Sequence, residues 1–141
     1  MSHRIIVGVD GSIHSMAALR WAMEDVTAHQ DFEVMAVLAW QLPMVSNPAS
    51  FDPDELQRCY EELLDQTVND ALPSPELPVR CCVVSGDPIE VLVEASRDAQ
   101  LLVLGSRGRS RFSGLMLGSV SQACAAGAAC PVVVVKPASK D

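Results

Sequence analysis

The chain has 141 residues, of which 49% are hydrophobic and 20% are charged, so it is long enough to bury a core and too apolar to be disordered. Ten basic residues against eighteen acidic ones give a net charge of -8, and no basic stripe is present, which argues against general nucleic-acid binding. No linker or internal repeat divides the sequence, and we therefore expect one domain over residues 1–141.

The first half of the chain alternates between strand and helix patterns. A short, continuous apolar run near the start is typical of a strand buried on both faces, and apolar residues then recur at helical spacing. Ser12 or Ser15 can cap that helix. A second strand, a proline-containing loop over residues 41–54 and an amphipathic helix follow. The predicted elements are a strand Ile5–Val9, a helix from Ser15, a strand Phe32–Trp40 and a helix Asp54–Leu72.

The second half continues the same alternation. Its predicted elements are a strand Val79–Val84, a helix of about Ile89–Arg97, a strand Leu101–Leu104, a helix of about Leu115–Ala126 and a strand Val132–Val135. Strands that alternate with helices predict a doubly wound α/β fold, with a parallel sheet and helices on both faces.

The N-terminus and the hydropathy pattern predict where the protein is found. No apolar run reaches the length of a membrane span. Residues 1–5 lead directly into the first strand without the apolar segment of a signal peptide. We therefore expect a cytoplasmic protein that makes no membrane contact.

Five cysteines are present, and none forms a Cys-x-x-Cys pair. The histidines adjoin no cluster of cysteines or carboxylates, so the sequence predicts no metal site built from protein ligands. We expect the cysteines to be reduced, buried, small hydrophobic residues, with a redox role as the alternative.

Glycine, serine and arginine are concentrated after the fourth predicted strand, where residues 105–119 read GSRGRSRFSGLMLGS. Glycine allows close approach of the backbone to a ligand, and N–H groups of such a loop and of the following helix can converge on phosphate oxygens. Three of the ten basic residues, Arg107, Arg109 and Arg111, fall here and can add charge-assisted hydrogen bonds. Two other interpretations are that the glycines only form turns and that the arginines are only solvated charges.

The end of the first strand is the second candidate region. In an open parallel sheet the ligand crevice lies at the carboxyl ends of strands where the strand order reverses. If the first and fourth strands are neighbours, Asp10 and Gly105 open onto that crevice. Asp10 can alternatively cap the next helix.

The pattern Gly105-x2-Gly108-x9-Gly118-Ser119 resembles the nucleotide loop of the universal stress proteins, specifically of their ATP-binding branch. Four further segments are similar to that family in the same order, so that the resemblance covers essentially the whole chain: IIVGVDGS at residues 5–12, AWQ at 39–41, GDP at 86–88 and CPVVVV at 130–135. The resemblance implies a stress-response regulatory protein that binds ATP or another adenine nucleotide, with Mg2+ or Mn2+ as an optional companion. It does not identify which adenine nucleotide.

The resemblance also assigns roles by position. Asp10, preceded by Gly8 and Val9, would lie beside the adenine, and the Ala39 backbone would contact the adenine edge. Leu104 and Gly105 would line the ribose. Gly108, Gly118, Ser119 and Val120 would hold the phosphates. The family pattern does not require the arginines, and Arg107 and Arg109 are added to the site because of their charge. The implied strand order is 3-2-1-4-5, which leaves Val132–Val135 at an edge, where the family typically forms homodimers.

Three functions fit the sequence. The first is the nucleotide-binding regulatory protein. The second is a slow ATPase or nucleotidyl-type enzyme on the same scaffold, although the P-loop pattern is absent and no catalytic residue can be named. The third is a dimeric scaffold without a ligand.

Overall fold

The computed structural model describes residues 3–28, 32–42, 51–72, 78–107 and 118–137. These residues form one five-stranded parallel sheet in the order β3-β2-β1-β4-β5. The elements along the chain are β1 His3–Gly8, α1 Ile13–Ala28, β2 Phe32–Trp40, α2 Pro53–Ala71, β3 Val79–Ser85, α3 Pro88–Ser96, β4 Leu101–Gly105, α4 Ser119–Gly127 and β5 Val132–Val135.

This architecture confirms the predicted fold class and strand order. The bounds of β2 and β5 agree with the sequence prediction, and most other ends differ by one or two residues. The predicted start of α4 was wrong. The helix was expected from about Leu115, but it begins at Ser119, because Gly118 is an extended N-cap residue with φ -66° and ψ 161°. Residues 115–117 lie outside the described part of the chain.

Two hydrophobic clusters cover the two faces of the sheet. On one face, α1 and α2 pack over alternate strand residues such as Ile5, Val7 and Val103. On the other face, α3 and α4 pack over the intervening residues, including Ile6 and Leu102. Right-handed crossovers require this arrangement when the chain moves one way from β1 to β3 and then returns to β4 and β5. Within the ranges given above, none of the helices combines the length and apolarity that a membrane span needs.

The first turn of α1 answers which serine caps it. The Ser12 Oγ accepts a hydrogen bond from the Ser15 N–H at 3.1 Å, which is the N-cap geometry. Gly11, just before, has a φ of 85°, a conformation that costs glycine little and other residues more. The Asp-Gly-Ser sequence therefore turns the chain sharply from β1 into α1.

The cysteines only partly follow the prediction. All five are free thiols, and Cys124 is fully buried, but Cys59 and Cys81 are exposed, so the expectation that they are buried was wrong. Cys81 faces α2, where partial burial of its sulfur and the nearby Asp65 carboxylate raise the pKa of the thiol. Burial, followed by the charge of Asp87, likewise raises the pKa of Cys124. Raised pKa values mean less thiolate and lower reactivity at these two positions.

Helix α1 lies unusually close to the end of β4. A Cβ atom added at Gly105 would be 2.6 Å from the backbone carbonyl carbon of His14, and also within 2.8 Å of the His14 oxygen. These are backbone atoms of a helix and cannot move aside independently. Gly105 is therefore required for packing, whatever it contributes to ligand binding.

We expect Gly105→Ala to lower the free energy of unfolding by about 1–3 kcal/mol, because the new methyl group would push α1 away from the sheet. Chemical denaturation measures the change. Gly127→Ala is the matched control, since a Cβ there would meet its nearest atom, Val93 Cγ2, at an ordinary 3.7 Å. Equal stabilities of the two variants would contradict the packing role.

Candidate functional site

A cavity of about 200 Å³ opens at the carboxyl end of the sheet, between β1 and β4. These strands are neighbours in the sheet, with Val7 paired to Val103, but the chain leaves them in opposite directions along the sheet. The connections therefore separate and leave a crevice between them. The neighbouring position of the first and fourth strands confirms the condition on which the predicted crevice depends.

Ten of the twelve residues that the sequence predicts as ligand-binding lie together in the structure. They all line this cavity: Gly8, Val9, Asp10, Ala39, Leu104, Gly105, Arg107, Gly118, Ser119 and Val120. The other two, Gly108 and Arg109, lie outside the described residues, as does Arg111.

Five further lining residues were not nominated: Ser15, Val37, Pro88, Leu92 and Ser121. Val37 could have been predicted from the sequence, because it lies two residues before Ala39 on β2 and its side chain is therefore on the same face of the sheet. Pro88 and Leu92 are four residues apart on α3, which places them on one face of that helix. Ser15 and Ser121 lie in the first turns of α1 and α4, and helices that follow parallel strands begin at this edge of the sheet.

Asp10 has both of the roles that its position suggested as alternatives. Its Oδ1 accepts a hydrogen bond from the Ser12 N–H at 2.9 Å, which fixes the turn before α1, and the residue also lines the cavity. Ser15 supports this turn from behind. Its buried hydroxyl donates to the Ser12 carbonyl oxygen at 2.9 Å and lies 3.4 Å from the Asp10 N–H. The carboxylate is thus held at the cavity wall by local hydrogen bonds.

The first turn of α4 forms another wall. Its N-cap residue, Gly118, has no side chain, and no side chain of the described residues caps this helix. The Gly118 N–H donates to the Ser106 carbonyl oxygen at 2.8 Å. The N–H groups of Ser119 and Val120, which are the first two of the helix, have no partner within the helix. They lie at the cavity together with the Ser119 side chain, which is exposed.

The lining divides into two chemical parts. The apolar part comes mainly from β2, α3 and the end of β4, through Val37, Ala39, Pro88, Leu92 and Leu104. The polar part combines the amino end of α4, Arg107 and several hydroxyl groups. A helix N-terminus carries partial positive charge, and an arginine adds a full charge, so this part suits an anion within an otherwise acidic chain. Among the described residues, no group of three potential metal ligands occurs.

The chain matches the universal stress protein family over residues 1–136. Among curated relatives, universal stress protein Rv2005c of Mycobacterium tuberculosis is 35% identical over 133 residues, which cover 94% of this chain and 45% of the relative. The chain thus spans slightly less than half the length of the curated relatives it matches.

Solved structures of this family have the same fold. The universal stress protein UspA from Lactobacillus plantarum superposes with a TM-score of 0.77 at 22% identity, covering 94% of this chain and 97% of that one. A universal stress protein in complex with cAMP gives 0.68 at 23% identity, with 97% and 98% covered. An Arabidopsis thaliana family protein with AMP bound gives 0.65 at 21% identity, with 97% and 93% covered. The sequence match and the fold agree with each other: the chain belongs to the universal stress protein family.

Proposed function

We propose that this stress protein is an adenine-nucleotide-binding regulatory protein whose ligand, ATP, occupies the cavity between β1 and β4. The observation that carries the proposal is that one cavity combines an apolar part with a helix N-terminus that no side chain of the described residues caps. A nucleotide has the matching division into a flat base and an anionic tail. The AMP and cAMP complexes of proteins with this fold support the same choice of ligand class.

The base is assigned to the apolar part, where the Ala39 backbone supplies polar groups. The β1–β2 pairing ends at Gly8 opposite Val37, and the Val37 carbonyl oxygen accepts from the Val9 N–H at 2.8 Å. Successive residues of a strand direct their N–H and C=O groups to opposite sides, so those of Ala39 point the same way as those of Val37. They lie beyond the last pair of β1, where the described residues include no ladder partner for them.

A backbone donor next to a backbone acceptor distinguishes adenine from guanine. The Watson–Crick edge of adenine has an acceptor at N1 and a donor at N6, whereas guanine has a donor at N1 and an acceptor at O6. Adenine therefore complements the Ala39 groups, and guanine would face each group with one of the same kind.

The phosphates are assigned to the amino end of α4. The N–H groups of Ser119 and Val120 can donate to phosphate oxygens, the Ser119 hydroxyl can add a third donor, and Arg107 lines the same part of the cavity. Three arginines in the loop sequence favour several phosphates over one, which is why we choose ATP over AMP or cAMP. Mg2+ or Mn2+ would then be held chiefly by the phosphates, because Asp10 is the single carboxylate among the described lining residues.

A regulatory role is favoured over rapid catalysis by the state of that carboxylate. Asp10 is the only candidate for a general base among the described lining residues, and it also has a structural task, because its Oδ1 accepts from the Ser12 N–H in the turn before α1. The protein is proposed to change its conformation or its choice of partner when ATP binds, as a cytoplasmic single-domain protein.

The proposed partner is a second copy of the chain, paired through β5. Val132–Val135 is the outer strand of the sheet, next to β4, and its four residues are half-buried. An edge strand of this composition favours pairing with another chain. The curated relatives are about twice as long as this chain, which is the length of two such units, and a dimer of this chain would also contain two units.

We expect ATP to bind at least about tenfold more tightly than GTP, since two mismatched hydrogen bonds cost about 1–3 kcal/mol each when they are buried. Calorimetric titration with ATP, cAMP and GTP measures the affinities. Mass spectrometry of the small molecules released from purified, denatured protein identifies what the chain carries. If the protein carries no nucleotide and none of the three titrations gives measurable heat, the nucleotide proposal fails and the dimeric scaffold takes its place.

We expect Gly118→Ala to abolish ATP binding while the fold stays intact. The methyl group would occupy space at the amino end of α4 where a phosphate approaches, but the φ of -66° at this position is accessible to alanine. Calorimetry measures binding, and thermal unfolding reports on the fold. Gly127→Ala, at the opposite end of the same helix, should bind ATP normally. Unchanged affinity in Gly118→Ala would remove the assignment of the phosphates.

The protein should sediment as a dimer at micromolar concentration. Val134→Lys should give a monomer, because a charged edge residue disfavours pairing between strands, and Val134 belongs to neither hydrophobic cluster of the described residues. Sedimentation velocity distinguishes the two states, and thermal unfolding checks that the variant is folded. A monomeric parent protein at this concentration would refute the proposed dimer.

A further inference from the structure

Ser106 joins the two ends of the glycine loop. Its carbonyl oxygen accepts hydrogen bonds from the Gly118 N–H at 2.8 Å and from the Ser121 hydroxyl at 3.3 Å. Its own N–H donates to the Val135 carbonyl oxygen at 2.9 Å, which ties it to β5. The residue is 6% exposed, so these bonds are shielded from water. The segment that begins after Ser106 therefore returns to the same residue at Gly118, and we call this contact the loop neck.

The Ser106 side chain is held from the other side by His14. The imidazole Nδ1 lies 3.0 Å from the Ser106 Oγ, although the two residues are 92 positions apart in sequence. The contact is possible because the His14 backbone packs directly against Gly105, where a side chain would not fit. Neither His14 nor Ser106 lines the cavity among the described residues.

The same turn of α1 also fixes the opposite wall of the cavity. Ser12 caps α1 and donates its N–H to the Asp10 carboxylate, and His14 lies two residues further along the same helix turn. The first turn of α1 therefore connects Asp10, on the side proposed for the base, with the loop neck, on the side proposed for the phosphates. A displacement of this turn would change both walls together.

We infer that His14 and Ser106 are a pair of positioning residues, which hold the loop neck and thereby place the amino end of α4 for the phosphates. This inference rests on the proposed nucleotide site and names two residues that do not themselves touch the ligand. The hydrogen bond between the His14 imidazole and the Ser106 hydroxyl fixes Ser106 relative to α1. The Ser106 carbonyl oxygen in turn accepts from the Gly118 N–H and so fixes Gly118, the residue before the N–H donors of α4.

A double-mutant cycle on ATP affinity tests the pair. His14→Leu and Ser106→Ala should each weaken ATP binding about threefold to tenfold, the range expected for the loss of one hydrogen bond. The double variant should bind no more weakly than either single variant, because both remove the same contact. His14→Asn, which retains a polar atom near the position of Nδ1, should recover most of the affinity. Ser106→Thr, which keeps the hydroxyl, should do the same.

A purely structural role predicts different results. In that case the single variants would unfold at lower temperature with unchanged affinity, or their effects on affinity would add in the double variant, and the polar replacements would give no rescue. Any of these results would overturn the inference. Thermal unfolding of each variant, recorded beside the titrations, separates lost affinity from lost fold.

Hydrogen exchange provides a readout that does not depend on the nucleotide. The Gly118 amide donates to the Ser106 carbonyl oxygen, so its exchange in the ligand-free protein should accelerate in both His14→Leu and Ser106→Ala. If the parent protein fails to bind ATP, the nucleotide proposal fails, and this measurement still decides whether the pair holds the neck. Unchanged Gly118 exchange in His14→Leu would show that it does not.

Discussion

The parallel pairing of β1 with β4 is the contact on which the cavity depends. Residues Ile5–Val7 of β1 pair with residues 101–103 of β4. After β1 the chain passes to β2 on one side of this pair, and after β4 it passes to β5 on the other side. Right-handed crossovers then place α1 and α4 on opposite faces of the sheet. The first turns of both helices consequently reach the same edge from opposite faces, and the space between them is the cavity. A different strand order would separate Asp10 from Ser119, even with the same loops.

Most of the fold could be predicted from the sequence because strands and helices here follow local apolar periods. Phe32–Trp40 and Val132–Val135 have the predicted bounds, since each is an apolar run with clear breaks on both sides. The start of α4 could not be predicted in this way. Leu115 and its neighbours suit a helix, but the Gly118 N–H is taken by Ser106, twelve residues earlier, and Gly118 is extended. A long-range hydrogen bond therefore decided where this helix begins, and a local pattern does not contain that information.

The candidate site divides in the same way. The nominated residues at the strand ends and at the start of α4 meet at the cavity, because strand order follows from topology. The sequence could not indicate which of these residues face a ligand and which support the packing around the cavity. Gly105 was assigned to the ligand on the basis of its loop pattern, but its closest constraint is the His14 backbone. Ser15 was considered only as a helix cap, and it supports the Asp10 turn from a buried position at the cavity. Such roles depend on residues that are distant in sequence.

The caps of the four described helices show how ligand binding would be linked to stability. Ser12, Asp52 and Asp87 each provide a side-chain acceptor for the first turn of α1, α2 and α3. At α4 the corresponding residue is Gly118, and no side chain of the described residues accepts from the first turn, although glycine at an N-cap costs only roughly a few tenths of a kcal/mol relative to serine or aspartate. On the proposed function, the phosphates supply these acceptors, so the ligand completes the helix that binds it. Because a ligand that binds only the native state stabilises it, nucleotide binding would order the amino end of α4 and the loop neck together. On this proposal, the N–H donors at the amino end of α4, which have no acceptor within the helix, link the stability of α4 to the presence of the nucleotide.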